Sequence, residues 1–258
     1  MIKKNYLKEK LQNGKIVLGT WSIIPSPVVC DIIASSGLDF IIIDSEHGPI
    51  NYTDAQNMTV ACESRKVSPV MRVPGVSEFD IKKALDIGMH CIHVPDVKSC
   101  DDIKNIVQYS KFPPSGNRGF SPFTRAGEYS HLSNDNYTNH ANKNSLVAIH
   151  LEEKKSLNNI EEFLDVDEID IIFLGLFDIS KSLNVPGQIN HQLVTNLINE
   201  TLIKINDHGK YAGTICTNVE TMKNFIDIGF KYLTFSVDCE ILKNSYQKVI
   251  EEFKNNFV

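Results

Sequence analysis

The chain contains no apolar stretch near the roughly 20 residues that a bilayer-crossing helix needs, so no membrane span is expected. Its 6 cysteines, Cys30, Cys62, Cys91, Cys100, Cys216 and Cys239, include no C-x-x-C pair, and most sit inside apolar or helical patterns. Thiols scattered in this way read as buried side chains, which excludes a disulfide framework. No lysine or arginine stripe is present and the formal charge is -6, which argues against nucleic acid or an anionic membrane as partner. No Pro/Gly/Ser-rich linker or low-complexity tract divides the 258 residues, so a single domain over 1–258 is expected. The Lys-rich start, MIKKNYLKEK, has no apolar signal core behind it, and the expected location is cytoplasmic.

What the chain does have is alternation. With 42% hydrophobic and 22% charged residues it has ample material for a core. Short apolar runs take turns with longer amphipathic ones, the pattern of strand-helix units around a parallel sheet. Eight strands are expected, at Ile16 to Thr20, Phe40 to Asp44, Pro69 to Val73, Cys91 to Val94, Leu146 to Leu151, Ile169 to Leu174, Tyr211 to Ile215 and Tyr232 to Val237. Several are apolar almost throughout, as strands covered on both faces should be. Helical spacing runs through Ser26 to Ser36, Thr53 to Lys66, Glu78 to Ile87, Ser99 to Ser110, Glu153 to Leu164, Gln192 to Asp207 and Val219 to Ile228. Ser99 with Asp102 resembles a capping box, and Gly37, Gly88, Gly209 and Gly229 stand where helices should stop. The fold class is therefore α/β, a closed single (β/α)8 TIM barrel more than an open doubly wound sheet.

Barrel strands all point one way, so residues at their C-terminal ends converge on one face. His47, Arg72, Glu152 and Asp178 each stand where an apolar run ends. One site holding two carboxylates, a histidine and an arginine is the expectation. A zinc site at His90-Cys91-Ile92-His93 with Cys100 has the right ligand types, but strand alternation sets His90 on the face opposite Cys91 and His93, so it is not expected. The polar excursion from Phe112 to Asn144 breaks the repeat and is expected to lie over the active face as a lid, or to form a subunit contact. The amphipathic Glu240 to Phe253 is expected to complete the barrel wall or pack on a neighbouring subunit.

Several motifs carry a family resemblance. Gly19-Thr20-Trp21, Asp39 to Pro49 with its Asp44-Ser45-Glu46-His47, Met71-Arg72-Val73-Pro74, Ala84 to Gly88, Pro113 to Gly119 and Gly175-Leu176-Phe177-Asp178-Ile179-Ser180 occur in order over nearly the whole chain. The sequence resembles the HpcH/HpaI aldolases. That resemblance implies a TIM barrel of the phosphoenolpyruvate/pyruvate type, a homo-oligomer (trimer or hexamer) with its last helix exchanged between subunits, a divalent metal, and carbon-carbon bond chemistry next to pyruvate. It also implies that His47 works with Asp86 through metal-bound water.

The residues themselves favour the same chemistry. An aldolase stabilises the enolate of a 2-oxo acid through a lysine Schiff base or through a metal. No lysine ends an expected strand, and Lys210 and Lys231 precede theirs, so the metal route is preferred. Glu152 and Asp178 supply hard oxygens suited to Mg2+ or Mn2+, with Co2+ a further candidate. Their competing reading is helix capping, and Glu153 competes with Glu152. Arg72 matches a carboxylate with its planar fork, or else pairs with a barrel acid such as Glu46. His47 is placed to move protons, Asp86 is alternatively a solvated helix acid, and Asp44, Glu46 and His150 are placed to orient His47 or metal-bound water. Gly175, Phe177 and Asp178 are expected to touch substrate. Arg118 and Arg125 in the excursion either meet a distal carboxylate or phosphate or anchor the loop. Family members usually carry glutamine at the place of His150 and Gly-Pro-Ala/Ser-Asp at Gly175 to Asp178, which leaves the substrate open. The leading expectation is a metal-dependent aldolase that splits a 4-hydroxy-2-oxo acid, such as a 2-keto-3-deoxy sugar acid, into pyruvate and an aldehyde. The alternatives are a citrate-lyase-like acyl-CoA ester lyase and a non-catalytic barrel that binds a small acid.

Overall fold

The computed structural model describes residues 4–129 and 134–258, the side chains of 134–136 excepted. Positions 1–3 of the Lys-rich start and 130–133 of the long excursion lie outside the described residues. Eight strands, β1 (Val17–Ser22), β2 (Phe40–Asp44), β3 (Ser68–Arg72), β4 (Cys91–Val94), β5 (Leu146–Leu151), β6 (Ile171–Leu174), β7 (Tyr211–Cys216) and β8 (Tyr232–Val237), close in sequential order into a parallel barrel. The helices are α1 (Tyr6–Gln12), α2 (Pro27–Ser35), α3 (Tyr52–Ser64), α4 (Glu78–Asp86), α5 (Cys100–Ser110), α6 (Asn134–Asn144), α7 (Lys154–Asn158), α8 (Ile160–Leu164), α9 (Leu176–Ser182), α10 (Gln192–Asp207), α11 (Val219–Ile228) and α12 (Asp238–Phe257). Among the described residues no helix is long and apolar enough to cross a membrane.

Two apolar layers result from strand alternation. One lies between the barrel and its helices and includes Ile41, Ile43, Met71, Ile92, Ile149 and Ile172. The other fills the barrel itself with Val17, Phe40, Ile42, Val70, Ala148, Phe173 and Tyr232. Leu7 and Leu11 of α1 join this inner set and plug the N-terminal end of the barrel, each stabilising the fold by about 1.5–3 kcal/mol. Asn5 fixes that plug by donating to the carbonyls of His90 at 2.8 Å and Asn144 at 2.7 Å.

The capping box of Ser99 and Asp102 is present, and the expected glycine stops have positive φ, Gly229 at 113° in left-handed geometry after α11. The helix expected from Glu153 to Leu164 is broken at Asn159 into α7 and α8, since consecutive asparagines favour local turns over helix continuation. β1 runs two residues further than expected, with Trp21 and Ser22 still paired to Ile42 and Ile43 of β2, and the Ser22 hydroxyl reaches Asp238 at 2.7 Å.

The excursion is not a lid. It follows α5 and precedes β5, and a connection from a helix back to the next strand emerges at the N-terminal rim of the barrel, opposite the strand ends that carry chemistry. Its described contacts agree: Ala126 N–H donates to the Asp86 carbonyl, Arg125 to the Ile87 carbonyl, and Lys111 to the Ser145 carbonyl. Arg118 and Arg125 pair with Asp86 and Glu63 on that rim, so their loop-anchoring reading holds.

Asp238 latches the last barrel seam. Its carboxylate, 5% exposed, accepts from the Ser22 hydroxyl and from the backbone N–H groups of Ile23, Ile24 and Cys239 at 2.7–3.1 Å. Asp238→Ala would strand the buried Ser22 hydroxyl and three part-buried backbone donors and is expected to lower stability by about 2–3 kcal/mol, read as a lower urea midpoint at unchanged slope.

Candidate active site

Above the aliphatic layers the inward positions turn polar. Alternation carries Phe40 and Ile42 up to Asp44, Val70 up to Arg72, and Leu146 and Ala148 up to His150 and then Glu152. A cavity of about 360 Å³ opens at this mouth, and Asp44, His47, Arg72, His150, Glu152, Gly175, Phe177 and Asp178 all line it. Glu46 stands beside it, 2.8 Å from Arg72 Nη1. Asp86 does not reach it. The carboxylate of Asp86 is held at 2.7 Å by Arg118 on the opposite rim, because α4 runs antiparallel to the strands and ends where β4 begins.

Arg72 is the electrostatic centre. Asp44 accepts from its Nε at 2.8 Å and its Nη2 at 2.5 Å, and the guanidinium lies 4.5 Å over the Trp21 ring. Asp44 in turn accepts from the backbone N–H of Glu46 at 3.0 Å and, less directly, of His47 at 3.4 Å, which fixes the turn carrying both residues. The ion pair with a barrel acid is therefore real and involves two acids. It leaves donors free, since a guanidinium carries five N–H groups and the bidentate bond to Asp44 uses two of them.

Glu152 and Asp178 sit where β5 and β6 give way to α7 and α9, and no side-chain cap bond closes either helix. The capping reading thus finds no hydrogen bond to support it. Gly175 makes room between the two strand ends, because a Cβ there would stand 2.9 Å from Glu152 Cγ. Burial pushes the Glu152 carboxyl above its ordinary range, and Asp96 adds to this while Arg72, His47 and Lys98 oppose it. Glu46 is likewise raised by burial, against the pull of Arg72. His150 lies 3.5 Å from Glu152 Oε1, but burial, reinforced by Arg72, drops its pKa to about 3, so the pair is not ionic at neutral pH.

The four acids lining the cavity, Asp44, Glu152, Asp178 and Glu240, face one permanent cation, Arg72. Such a cavity attracts cations and repels a bare carboxylate ligand. Among the described residues no cluster of three or more His, Cys, Asp or Glu side chains could by itself hold a metal. Glu152 and Asp178 line the same cavity and could supply two carboxylate oxygens to a hard cation that took its remaining oxygens from water and ligand, the habit of Mg2+ and Mn2+. The tempting His90 to Cys100 cluster is dispersed: His90 Nδ1 meets Ser68 Oγ at 3.1 Å, while His93 turns into the barrel.

Sequence reasoning missed the Trp21 shelf under Arg72, Glu240 at the cavity wall, and the burial of His93 beneath His150. For Trp21 a signal existed: a single tryptophan at an inward position of the first strand, level with Arg72.

The fold has clear counterparts. Residues 18–245 match the family model described as HpcH/HpaI aldolase/citrate lyase. The chain is 30% identical to a hydroxypyruvate/pyruvate aldolase of Roseobacter denitrificans, with 97% of each chain covered. It is 29% identical to a 2-keto-3-deoxy-L-rhamnonate aldolase of Escherichia coli, covering 97% of this chain and 94% of the other. The crystal structure of citrate synthase SbnG superposes with a TM-score of 0.88 at 28% identity and 98% coverage of both chains. With a parallel eight-stranded barrel, polar strand ends gathered at one mouth and a family match over most of its length, the chain belongs to the HpcH/HpaI aldolase/citrate lyase family of carbon-carbon lyases.

Proposed function

We propose that this chain is a metal-dependent aldolase that reversibly cleaves a 4-hydroxy-2-oxo acid, such as a 2-keto-3-deoxy sugar acid, into pyruvate and an aldehyde. The observation that carries the reading is the acidic mouth with one arginine, whose excess of carboxylates disfavours a 2-oxo acid anion unless a cation offsets them. Glu152 and Asp178 would hold a divalent cation, and such an ion would supply Lewis-acid stabilisation for an enolate. Arg72, held flat between Asp44 and Trp21, offers its remaining N–H groups to the substrate carboxylate. His47, exposed at the mouth on a turn fixed by Asp44, moves the proton of the hydroxyl on the aldehyde side. Phe177, 48% exposed on the cavity wall, narrows the space beside the pyruvate methyl group.

Assembly belongs to the same proposal. α12 leaves the barrel as a 20-residue helix with Leu242, Tyr246, Val249, Ile250, Phe253 and Phe257 all at least half exposed. An apolar face of that size on a helix with little to pack against in its own chain supports a homo-oligomer that exchanges this helix. Asp86, at the far rim, meets a His47 only of a second copy.

A second reading draws on the structural likeness to a citrate synthase and on the adjoining cavity, which shares Glu152 and Asp178 and carries Lys154, Lys155 and Lys181. Those lysines would have to hold the phosphates of an acyl-CoA against Asp96 and Glu153 on the same wall, which makes this the weaker reading. The deciding experiment is proton-deuteron exchange at the pyruvate methyl group, followed by NMR with Mg2+, Mn2+ or Co2+ and then with chelator. Metal-dependent exchange is expected. Its absence in folded protein, together with thiol release from acyl-CoA and a 2-oxo acid, would overturn the aldolase reading in favour of the second.

A further inference from the structure

Beneath the cavity floor three buried side chains form a polar column that the proposed chemistry does not use. Tyr232 Oη lies 2.9 Å from His93 Nε2, His93 Nδ1 lies 2.8 Å from His150 Nε2, and His150 Nδ1 lies 3.5 Å from Glu152 Oε1. The rings are locked in place. Phe173 stacks on His150 at 4.7 Å and 25°, Trp21 stands edge-on to both imidazoles at 6.0 Å, and Phe40 stacks on Tyr232 at 4.3 Å.

Neither imidazole is free to choose its tautomer. Two nitrogens at 2.8 Å share one hydrogen, so the column can run in only two senses. In the inward sense His150 donates to His93 and His93 donates to Tyr232. The phenolic hydrogen of Tyr232, fully buried, then has no acceptor among its recorded contacts, and His150 turns a lone pair toward the Glu152 carboxylate. In the outward sense Tyr232 donates to His93 Nε2, His93 Nδ1–H donates to His150 Nε2, and His150 Nδ1–H faces Glu152. The fully buried Tyr232 hydroxyl then has an acceptor, and the one N–H left over, on His150 Nδ1, faces Glu152 Oε1 at 3.5 Å on the cavity side; buried polar groups are overwhelmingly satisfied in folded proteins.

We propose that Tyr232, acting through His93, fixes His150 as the Nδ1–H tautomer, so that His150 presents a donor to Glu152 and holds one carboxylate oxygen while the other stays open to the cavity. Tyr232 and His93 are thus positioning residues set two layers below the reacting atoms. The consequence for Glu152 rests on the metal-site reading above; the tautomer assignment does not. It also accounts for a histidine at position 150, since an imidazole can pass the orientation of a buried hydroxyl upward to the site.

The test is long-range 1H–15N correlation spectroscopy of the imidazoles in metal-free protein, joined to Mn2+ binding followed by electron paramagnetic resonance. Both His93 and His150 are expected as Nδ1–H tautomers, the form less favoured by free imidazole side chains. Tyr232→Phe keeps the ring packing and removes the hydroxyl. It should mix the tautomers of both histidines and weaken Mn2+ binding by about 10-fold, the lower end of what losing an outer support of a metal ligand costs. Nε2–H tautomers on both rings of the unaltered protein would overturn the proposal, whether or not the variant folds. Unchanged tautomers in a folded Tyr232→Phe protein would overturn it as well. Absence of Mn2+ binding by the unaltered chain would instead overturn the metal reading and the role given to Glu152, with the tautomers still deciding the column.

Discussion

Glu152→Gln should abolish metal-dependent exchange at the pyruvate methyl group, a fall of about 10³-fold or more, while leaving the protein as stable as before or more so. The size follows from removing a charged oxygen from the point where negative charge must be stabilised, which typically costs 10²–10³ for a single donor and more for a charge. The stability half follows from electrostatics. Burial holds the Glu152 carboxyl above its ordinary range, so the folded state favours the protonated form over the ionised one. A carboxyl raised in this way contributes stability that is present at low pH and lost as pH rises through its folded pKa. At neutral pH its charge is therefore a burden on the metal-free fold, and a neutral amide of the same shape relieves it. Opposite signs in activity and stability are the mark of a residue kept for chemistry. Thermal unfolding and methyl exchange on the same preparation check both halves. Unchanged exchange would remove Glu152 from the ligand set.

Arg72 should behave in the opposite way, with activity and stability falling together. Its guanidinium neutralises Asp44, which is 2% exposed, and faces Glu46. Arg72→Met leaves Asp44 as a buried charge without its partner, and such losses cost about 3–5 kcal/mol. Arg72→Lys keeps the charge but cannot reproduce two parallel N–H bonds to Asp44 together with a flat seat on Trp21. The lysine variant should fold and lose about 10²-fold in methyl exchange, as expected when a charge is held slightly out of place. Urea unfolding separates the two substitutions, and full turnover by the lysine variant would remove Arg72 from the site.

The barrel was legible because its strands are buried on both faces and so stand out as short apolar runs; each of the eight expected runs overlaps a strand. The mouth was legible for a related reason. A polar residue ending an apolar run in a parallel barrel has one place to go, and His47, Arg72, Glu152 and Asp178 all went there. Helices without such a pattern were harder. α1 is a Lys-rich segment with only Leu7 and Leu11 facing inward, and α9 hides in what reads as a turn after Gly175. Asp86 and the excursion were misplaced through direction, since residues after a barrel helix belong to the rim opposite those after a strand. His93 was weighed as a metal ligand because of its neighbours in sequence; its true neighbours, His150 and Tyr232, are 57 and 139 residues away.

The excursion at the N-terminal rim divides labour along the barrel axis. It departs from α5 and returns to β5 on the side away from the mouth, and none of its described residues lines the cavity of its own barrel. Changes confined to this segment beyond Arg118 are therefore expected to leave methyl exchange at the same barrel's mouth unaltered, so it offers a place to attach or trim without retuning the chemistry.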